Sequence, residues 1–464
     1  MNCSHLNCNK IVYENNHECI FHCNKDTWVN QDYVLDDSID KWDSYKISYF
    51  WQEFHALTEY ELNQFIFPYF DNSEYNDSDL ETIDTITFND CTFLDDVIIY
   101  DFVNTTLEFK NCFFNSQHFS IENDINNFTF QDLKMQNQNN IFIEIKNSTI
   151  NTCEIMNLNN KQCSLNINNC KVSNFKFLNS NIKEFFFYNI NLNENSTLLL
   201  EDITVNKYIL EKLSQKSDYL QFNNIKILDN LKFNKIEFNN TYFNNFDIDN
   251  IKNKVEIDKT SFLGAKFNSF EWGNISIIQA SRDTFRQLKY VLDEQKDYIQ
   301  ANNFFVMEMK KYKEELKNKS NVYWQDKFVF FLNEKISDFG RSWFLSVLWF
   351  VFISLFIVIG IKFHQKPTLD KAYYIYMVYL IFLMSVPYFI YKKKILSIVV
   401  ILFSFYMFHS YSNSYNPFNE FANFINLKIH KNYESYSSVW FIHKLLTSFI
   451  IYHFIIALRR QTKR

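Results

Sequence analysis

The chain has 464 residues, of which 47% are hydrophobic and 19% aromatic, so it can bury a large core. Gly and Pro number only four each, and the sequence contains none of the glycine-rich phosphate loops or nucleophile elbows of common enzymes. The net charge of −7 combines an acidic portion before Arg341 with a basic portion after it, and an acidic soluble part argues against nucleic acid as a partner.

The N-terminal segment, residues 1–26, has the cysteine spacing of a zinc knuckle. A C-x4-C pair is followed by a C-x2-H pair, and each pair can supply two corners of the tetrahedron that Zn²⁺ prefers. The candidate ligands are Cys3, Cys8, Cys19 and His22, with Cys23 as a spare donor. The segment is similar to short C-x4-C…C-x2-H knuckles of bacterial proteins, which implies a structural Zn²⁺ ion, since so small a segment needs metal to fold. The alternative is a surface segment with free thiols.

Residues 27–80 are acidic, and roughly helical apolar spacing between Tyr45 and Phe67 predicts one or two short helices there. The chain begins without a charged segment followed by an apolar stretch, so we expect no signal peptide. The soluble part would then stay in the cytoplasm, where disulfide bonds are not expected.

Apolar residues recur at every fifth position through much of residues 83–274. The residues two positions before each member keep the same spacing in the longest regular run, which is Ile167, Val172, Phe177, Ile182, Phe187 and Leu192. Neither a helix nor a flat strand has a period of five, so the repeat predicts a coil of roughly square cross-section, with both positions pointing inward. Successive turns would stack at ~4.8 Å, the strand-pairing distance. We expect an interruption at 194–222, where Val205 to Leu213 has the pattern of a short helix.

In several units of this repeat, a small residue precedes a larger apolar residue by two positions. Examples are Cys91-Thr92-Phe93, Cys112-Phe113-Phe114, Ser180-Asn181-Ile182 and Ala265-Lys266-Phe267. These units resemble the small-x-Leu/Phe core of the pentapeptide-repeat family, and the resemblance covers residues 83–274. It implies a right-handed, quadrilateral parallel β-helix, although this chain has Phe or Leu at many of the small positions.

Residues 281–318 have the pattern of a helical hairpin, with two stretches of helical apolar spacing and a helix start at Ser281 and Asp283. The pattern F-x-x-L-K followed by A-x-x-F-x-x-x-E is similar to a connector of bacterial pentapeptide-repeat membrane proteins. Its residues here are Phe285, Leu288, Lys289, Ala301, Phe304 and Glu308. The resemblance implies that the hairpin caps the β-helix and joins it to a membrane domain.

The C-terminal region, residues 343–458, contains four apolar segments that are long enough, or nearly so, to cross a ~30 Å bilayer core as helices. They are 343–361, 372–391, 395–411 and 439–458. Basic residues lie before the first segment, between the second and third, and in the tail 459–464, so the positive-inside rule places both termini in the cytoplasm. We therefore expect an α-helical bundle of about four spans in the inner membrane of a bacterium.

Three ionisable side chains lie in the fourth predicted span, namely His443, Lys444 and His453. Ionisable residues within a span are functional candidates by default, because burying a charge in lipid is costly. The alternative for Lys444 is that its ammonium group reaches the membrane surface while its aliphatic part stays in lipid. A pore or proton path would need these side chains to face the bundle interior.

The predicted fold class is therefore mixed: a β-helix, a helical hairpin and a membrane bundle. The first function hypothesis is a non-enzymatic protein that is anchored in the lipid bilayer. Its cytoplasmic β-helix would bind a protein partner or act in sensing, and the chain could form a homo-oligomer. The alternative is an ion-channel-like or pore-forming effector gated by the β-helix. No paired carboxylates or Ser/His/Asp arrangement indicates an enzyme, and no catalytic residue is predicted.

Overall fold

The protein comprises two compact units, Met1–Gln295 and Lys296–Arg464. The first unit is a parallel β-solenoid of about eight turns preceded by a Cys/His segment, and the second consists of helices. This confirms the predicted repeat coil followed by helices. A computed structural model describes residues 2–5, 8–14, 17–29, 42–71, 83–115, 117–135, 140–215, 219–251, 253–318, 323–365 and 436–462.

The first unit begins with a 3-10 turn at Asp26–Trp28 and helix α1 (Ser44–His55), whose N-cap Asp43 accepts hydrogen bonds from two backbone N–H groups. Short strands follow, namely β1 (Glu61–Asn63), β2 (Ile66–Phe67), β3 (Phe70–Asp71), β4 (Thr85–Asn89) and β5 (Thr92–Phe93). The middle of the solenoid contains β6 (Val97–Lys110), β7 (Phe113–Phe114), β8 (His118–Gln131), β9 (Lys134–Met135), β10 (Ile141–Lys146), β11 (Thr149–Met156) and β12 (Asn159–Asn168). The remaining strands are β13 (Lys171–Gln215), β14 (Tyr219–Ile236), β15 (Thr241–Asp247), β16 (Lys254–Asp258), β17 (Lys266–Asn268) and β18 (Ile278–Ala280).

These strands form a 14-stranded and a 4-stranded sheet, and every pairing between them is parallel. Phe88 lies opposite Phe109, which in turn lies opposite Phe130, so 21 residues complete a turn at this level. Aromatic rings stack along the axis as well. The ring of Phe93 lies 4.9 Å from that of Phe67 and 4.8 Å from that of Phe114, nearly parallel to both. The core is therefore a column of matched layers.

The solenoid begins earlier than the sequence predicts, because the expected helical structure toward Phe67 is wrong beyond α1. Leu62 in β1 lies opposite Phe88, and Phe67 in β2 lies opposite Phe93. These residues therefore belong to the first turn, which starts at Glu61 and not near residue 83. Pairing with the next turn overrides the roughly helical spacing of the local sequence.

The five-residue repeat has the predicted inward orientation. Both sets of positions in the regular run are at most 2% exposed. They are Ile167, Val172, Phe177, Ile182, Phe187 and Leu192, and two residues earlier Leu165, Cys170, Phe175, Ser180, Phe185 and Ile190. Two inward positions in every five therefore fill the core of this stretch.

Asparagine occupies many sharp corners of the solenoid. Asn147, Asn169 and Asn189 have φ of 53°, 55° and 53°, in the left-handed region that Asn tolerates better than most residues. Their side chains form a ladder, in which Nδ2 of Asn169 donates to Oδ1 of Asn147 at 3.3 Å and Nδ2 of Asn189 donates to Oδ1 of Asn169 at 2.7 Å. A second ladder joins Asn223, Asn244 and Asn268. Corner geometry and these ladders give many of the asparagines a structural role.

The predicted interruption of the solenoid at 194–222 is wrong. Strand β13 continues to Gln215, so the expected helix at Val205 to Leu213 is wrong. Val205 lies opposite Ile227 and Leu210 lies opposite Phe233 in β14. The apolar residues whose spacing resembles that of a helix point into the core of a solenoid turn. The repeat changes phase here, and the pairing with β14 has a register shift after Val205.

Helix α2 (Arg282–Glu294) closes the C-terminal end of the solenoid, with Ser281 as its N-cap. The side chain of Gln295 accepts a hydrogen bond from the N–H of Phe267 at 3.0 Å and donates to the carbonyl of Ala265 at 2.8 Å. Gln287 accepts a bond from the N–H of Phe262 at 3.2 Å. Side chains of α2 and its C-cap thus satisfy backbone groups of the last turn.

The second unit contains α3 (Tyr298–Asn318), α4 (Trp324–Ser337), α5 (Trp343–Gln365) and α6 (Ser437–Thr462). The predicted hairpin 281–318 therefore corresponds to two helices, α2 and α3, that belong to different units. The predicted tail 459–464 is helical as far as Thr462.

Among the described residues, one helix is long and apolar enough to cross a membrane, over Ser437–Arg459 in α6. The described apolar run of α5, Trp343–Ser354, is shorter than a span. The predicted spans 372–391 and 395–411 lie outside the described residues. The described part of the chain therefore offers one candidate span, where the whole sequence predicted four.

Candidate metal centre

The structure brings together the four predicted metal ligands. The thiol sulfurs of Cys3, Cys8 and Cys19 and a ring nitrogen of His22 all lie within 4.8 Å of one another. The Sγ of Cys8 lies 3.7 Å from that of Cys19, and Nδ1 of His22 lies 3.5 Å from Sγ of Cys3 and 3.2 Å from Sγ of Cys19. This group can bind a metal ion.

Three of the six separations between these atoms can be compared with those of a tetrahedral site. Metal bonds of about 2.3 Å to sulfur and about 2.0 Å to nitrogen place two sulfurs about 3.8 Å apart and a sulfur and a nitrogen about 3.5 Å apart. The Cys8–Cys19 and Cys3–His22 distances agree with these values, and the Cys19–His22 distance is slightly shorter. These three pairs are already close to metal-binding separations, and the other pairs lie within 4.8 Å.

Local backbone folding explains why the two pairs converge. The N–H of Cys3 donates to the carbonyl of Lys10 at 2.9 Å, which folds the C-x4-C segment back on itself. A turn closed by the N–H of His22 and the carbonyl of Cys19, 3.1 Å apart, holds the side chains of the C-x2-H pair together. The N–H of Cys19 also donates to Sγ of Cys3 at 3.2 Å and so joins the two segments.

His22 is oriented by the solenoid itself. Its Nε2 lies 3.1 Å from the backbone carbonyl oxygen of Asn63 in β1, an acceptor that fixes the proton on Nε2 and leaves the Nδ1 lone pair directed at the thiols. Burial lowers the pKa of His22, so the imidazole is neutral near pH 7, as metal binding requires.

The three thiols differ in their proton affinity. Burial raises the pKa of Cys19 to about 12 and also raises that of Cys8. At Cys3 burial acts in the same direction, but hydrogen bonds from the backbone of His5 and Cys19 outweigh it, and the net pKa is lowered. A metal ion would therefore have to displace protons against the raised pKa values of Cys8 and Cys19.

The spare donor is not part of the ligand group. The thiol of Cys23 is directed at the carbonyl oxygen of Ile20, 3.5 Å away. His5 stacks on His22 with ring centroids 4.2 Å apart, while its two nitrogens approach Gln64 and Glu18 at 3.1 and 3.3 Å. Both residues surround the cluster without being ligands.

The Cys/His segment pairs with the first turn of the solenoid. The N–H of Ile66 donates to the carbonyl of Phe21 at 2.7 Å, and the ring of Phe21 stacks on that of Phe65 at 4.5 Å. Phe21 also meets Phe50 of α1 edge to face at 5.4 Å. The segment thus lies across the end of the solenoid and is bonded to it.

Sequence reasoning misses one buried charge beside the cluster. Lys25 is fully buried, its Nζ donates to the carbonyls of Ile20 and Cys23 at 3.0 and 3.2 Å, and it lies over the rings of Trp28 and Phe50 at 4.9 and 5.2 Å. Burial lowers the pKa of Lys25 to about 8. No sequence signal identifies it, because its partners are backbone carbonyls and aromatic faces.

The three candidate residues of α6 contact different partners. The Nε2 of His443 lies 2.8 Å from Oγ of Ser354 in α5, whereas Nδ1 of His453 lies 3.5 Å from Oγ of Ser337 in α4. His453 also lines a cavity of about 320 Å³ between α3, α4 and α6. The ammonium of Lys444 lies 5.3 Å from the ring centre of Trp440. The two histidines are thus buried at separate helix contacts and do not form one cluster.

Comparison of the chain with protein-family models, curated proteins and solved structures finds no match.

Proposed function

We propose that this chain is a non-catalytic, membrane-anchored β-solenoid that binds a protein partner along its flank and is closed at one end by a structural Zn²⁺ ion. The observation that carries the proposal is that three thiols and one imidazole nitrogen lie within 4.8 Å of one another, with the ligand His22 bonded to Asn63 in the first strand. Stacked repeats need a cap over their terminal unpaired strand, and a metal-stabilised segment supplies one.

The donor set favours zinc over other metals. Three thiolates and one imidazole are soft and borderline ligands, which suit Zn²⁺ and not the oxygen-seeking Mg²⁺ or Ca²⁺. Four protein ligands complete a tetrahedron and leave no position for water or substrate, which is typical of structural sites. The proposed ion therefore stabilises the fold and takes no part in chemistry.

The flank of the solenoid supports the binding proposal. Within the described residues of the first unit, the Cys/His segment and α1 cover the first turn and α2 bonds to the last turn, and we infer that a partner binds the sides. The sides carry regular ladders of polar side chains, such as Asn147, Asn169 and Asn189. We also infer that the repeat is of the pentapeptide type, which the two buried positions in every five support.

The membrane part of the proposal rests on α5 and α6. The rings of Trp343 and Phe454 are 6.2 Å apart, and Ser354 contacts His443, so the two helices run antiparallel. The start of α5 and the end of α6, where Arg341 and Arg459 lie, thus meet at one end. A basic end supports a cytoplasmic assignment by the positive-inside rule, and a multi-pass inner-membrane location completes the proposal.

Metal analysis of the purified chain tests the zinc cap. We expect about one Zn²⁺ per chain for the wild type, and loss of the metal in the double variant Cys8→Ser plus Cys19→Ser. Cys23→Ser is the matched control, since it removes a thiol of the same segment that points away from the cluster. Zinc that survives the double substitution, or a wild type without zinc, would overturn the proposal.

Site-specific photo-crosslinking in cells tests the flank. A photo-reactive amino acid at the exposed ladder position Asn189 should give a discrete protein adduct, and one at the buried Val172 should not. Equal results at both positions, or no adduct at any exposed ladder position, would contradict a partner-binding flank.

A pore is the second candidate function, favoured by the buried Ser354–His443 pair between two apolar helices. Conductance of the chain in planar bilayers, compared with a form lacking the solenoid, separates the two. Current that depends on the solenoid would favour the pore, and absence of current in both forms would favour the scaffold.

A further inference from the structure

Helix α4 carries an aromatic stripe that the other described helices leave uncovered. Trp324, Phe328 and Phe331 follow one another at i, i+4 and i+7, which places them on one side of the helix. Their side chains are 71%, 51% and 51% exposed. Exposed aromatic residues in a row are unusual on a surface that meets only water.

From Phe330 onward, α4 is packed against other helices of the second unit on a side away from the stripe. The ring of Phe330 meets that of Tyr312 in α3 at 4.8 Å, and the side chain of Glu334 forms an ion pair with Lys313. At the C-terminal end, Ser337 contacts His453 in α6. α4 is therefore held within the second unit by one face, while its aromatic stripe faces outward.

The outward side of α6 is also apolar and lies next to α4. Large apolar side chains of α6 are 39–63% exposed, namely Phe441, Ile442, Leu445, Leu446, Ile451, Tyr452 and Ile455. Tyr452 lines the same cavity as Val329 of α4, which is 50% exposed itself. The exposed apolar surface of the candidate span therefore reaches α4 at Val329, on a side of the helix away from the aromatic stripe.

The position of α4 along α6 is informative. α4 contacts the C-terminal half of α6, through His453, and leads into α5 through a turn in which Arg341 pairs with Asp338. This is the basic end of the antiparallel α5–α6 pair, where Arg459 also lies. Aromatic residues and basic residues at the end of a span are typical of a membrane–water interface.

We propose that α4 is an interfacial helix, which lies in the headgroup layer of a phospholipid bilayer with Trp324, Phe328 and Phe331 inserted toward the acyl chains. The side chains of Lys327 and Lys335 flank the stripe and meet the lipid phosphates. The occupant of this face is lipid and not a second copy of the chain, because α4 lies at the basic end of the candidate span in α6, where Arg341 and Arg459 also lie. The inference rests on the proposed anchoring by α6.

Depth-dependent fluorescence quenching in lipid vesicles tests this placement with the full-length chain. A fluorescent non-natural amino acid is introduced at Phe328 on the stripe, at Asp326 on the opposite side of the first turns, or at Leu445 on the outward side of α6. Lipids carry a quencher either about 5–10 Å below the headgroups or at the bilayer centre. The vesicles contain phosphatidylcholine and phosphatidylglycerol at a low protein-to-lipid ratio.

We expect the shallow quencher to reduce emission from position 328 at least twofold, with little effect at position 326, and the central quencher to act most strongly at position 445. Quenching at 445 without any at 328 would overturn the interfacial helix and leave the anchor in place. Absence of quenching at 445 would overturn the membrane anchor, and the inference with it. If the shallow quencher stops acting at position 328 only when the protein-to-lipid ratio is raised, this face binds a second copy of the chain. That result would also overturn the proposal.

Discussion

The Nε2 of His22 lies 3.1 Å from the backbone carbonyl oxygen of Asn63, so that the Cys/His cluster and the first strand of the solenoid share a hydrogen bond. This bond joins residues 41 positions apart in the chain. A ligand oriented in this way is coupled to the fold, because a shift of β1 would rotate the imidazole away from the thiols. Metal binding and closure of the solenoid's first turn should therefore be linked.

Metal removal should loosen the first turn before the last. With the ion removed by a chelator, the cap loses its central cross-link, and we expect faster amide hydrogen exchange at β1 and β2. Exchange around β17 and α2 should change little, because Gln287 and Gln295 hold that end without metal. Exchange measured by mass spectrometry checks this; uniform change along the solenoid, or none at β1 and β2, would contradict it.

Replacement of Lys25 should change the pH dependence of stability. Its pKa is about 8 in the fold and 10.5 as a reference value, so between these pH values the unfolded chain binds more protons and the free energy of unfolding rises with pH. The rise from this group amounts to about 3 kcal/mol. Lys25→Met removes it, although the carbonyls of Ile20 and Cys23 then lose their donor and the stability at pH 7 also changes.

The diagnostic for Lys25 is the difference between wild-type and variant unfolding free energies across pH 7 to 10.5, since titrating groups remote from Lys25 contribute equally to both. Equilibrium denaturation with urea at several pH values supplies it. A difference that does not change with pH would show that the lysine titrates normally and is not desolvated.

The left-handed corner at Asn169 should tolerate Gly better than Ala. Asn169→Ala loses ladder hydrogen bonds and strains a backbone with φ of 55°, for a cost of about 1–2 kcal/mol. Asn169→Gly loses the same bonds without the strain and should cost about 1 kcal/mol less. Asn166→Ala is the control, because Asn166 bonds Glu144 from a position without positive φ. Equal effects of Ala and Gly at 169 would refute the corner assignment.

Gly273 should be the less replaceable of two glycines in the last turns. Its φ is +56°, and an added Cβ would lie 2.6 Å from the Cα of Asp249, whereas at Gly264 the nearest atom would be 3.4 Å away. Both substitutions by Ala strain the backbone, but only Gly273→Ala also forces the chain against its neighbour. We expect a cost of several kcal/mol at 273 and of about 1–2 kcal/mol at 264. Thermal unfolding of both variants tests the order.

The repeat could be predicted from the sequence because the core residues themselves recur at every fifth position. Inward positions such as Val172 and Phe177 must be apolar in every turn. The spacing can therefore be recognised without knowing which residues lie opposite one another in neighbouring turns. The metal-binding group could also be predicted, because its ligands are close in sequence and Cys and His are distinctive metal-binding residue types. They are Cys3, Cys8, Cys19 and His22.

Features that depend on distant partners could not be predicted. The strand at Val205 to Leu213 is specified by residues of β14 opposite it, and its local spacing alone resembles a helix. Asn63 acts through its backbone carbonyl, which carries no sequence signal at all. The start of the solenoid at Glu61 is likewise decided by pairing with β4.

The most direct test of the central claim is X-ray absorption spectroscopy at the zinc edge on the purified, full-length chain. We predict a first shell of three sulfurs at about 2.3 Å and one nitrogen at about 2.0 Å, with no bound water. A shell of oxygens and nitrogens only, or a protein without zinc when purified without chelators, would contradict the account.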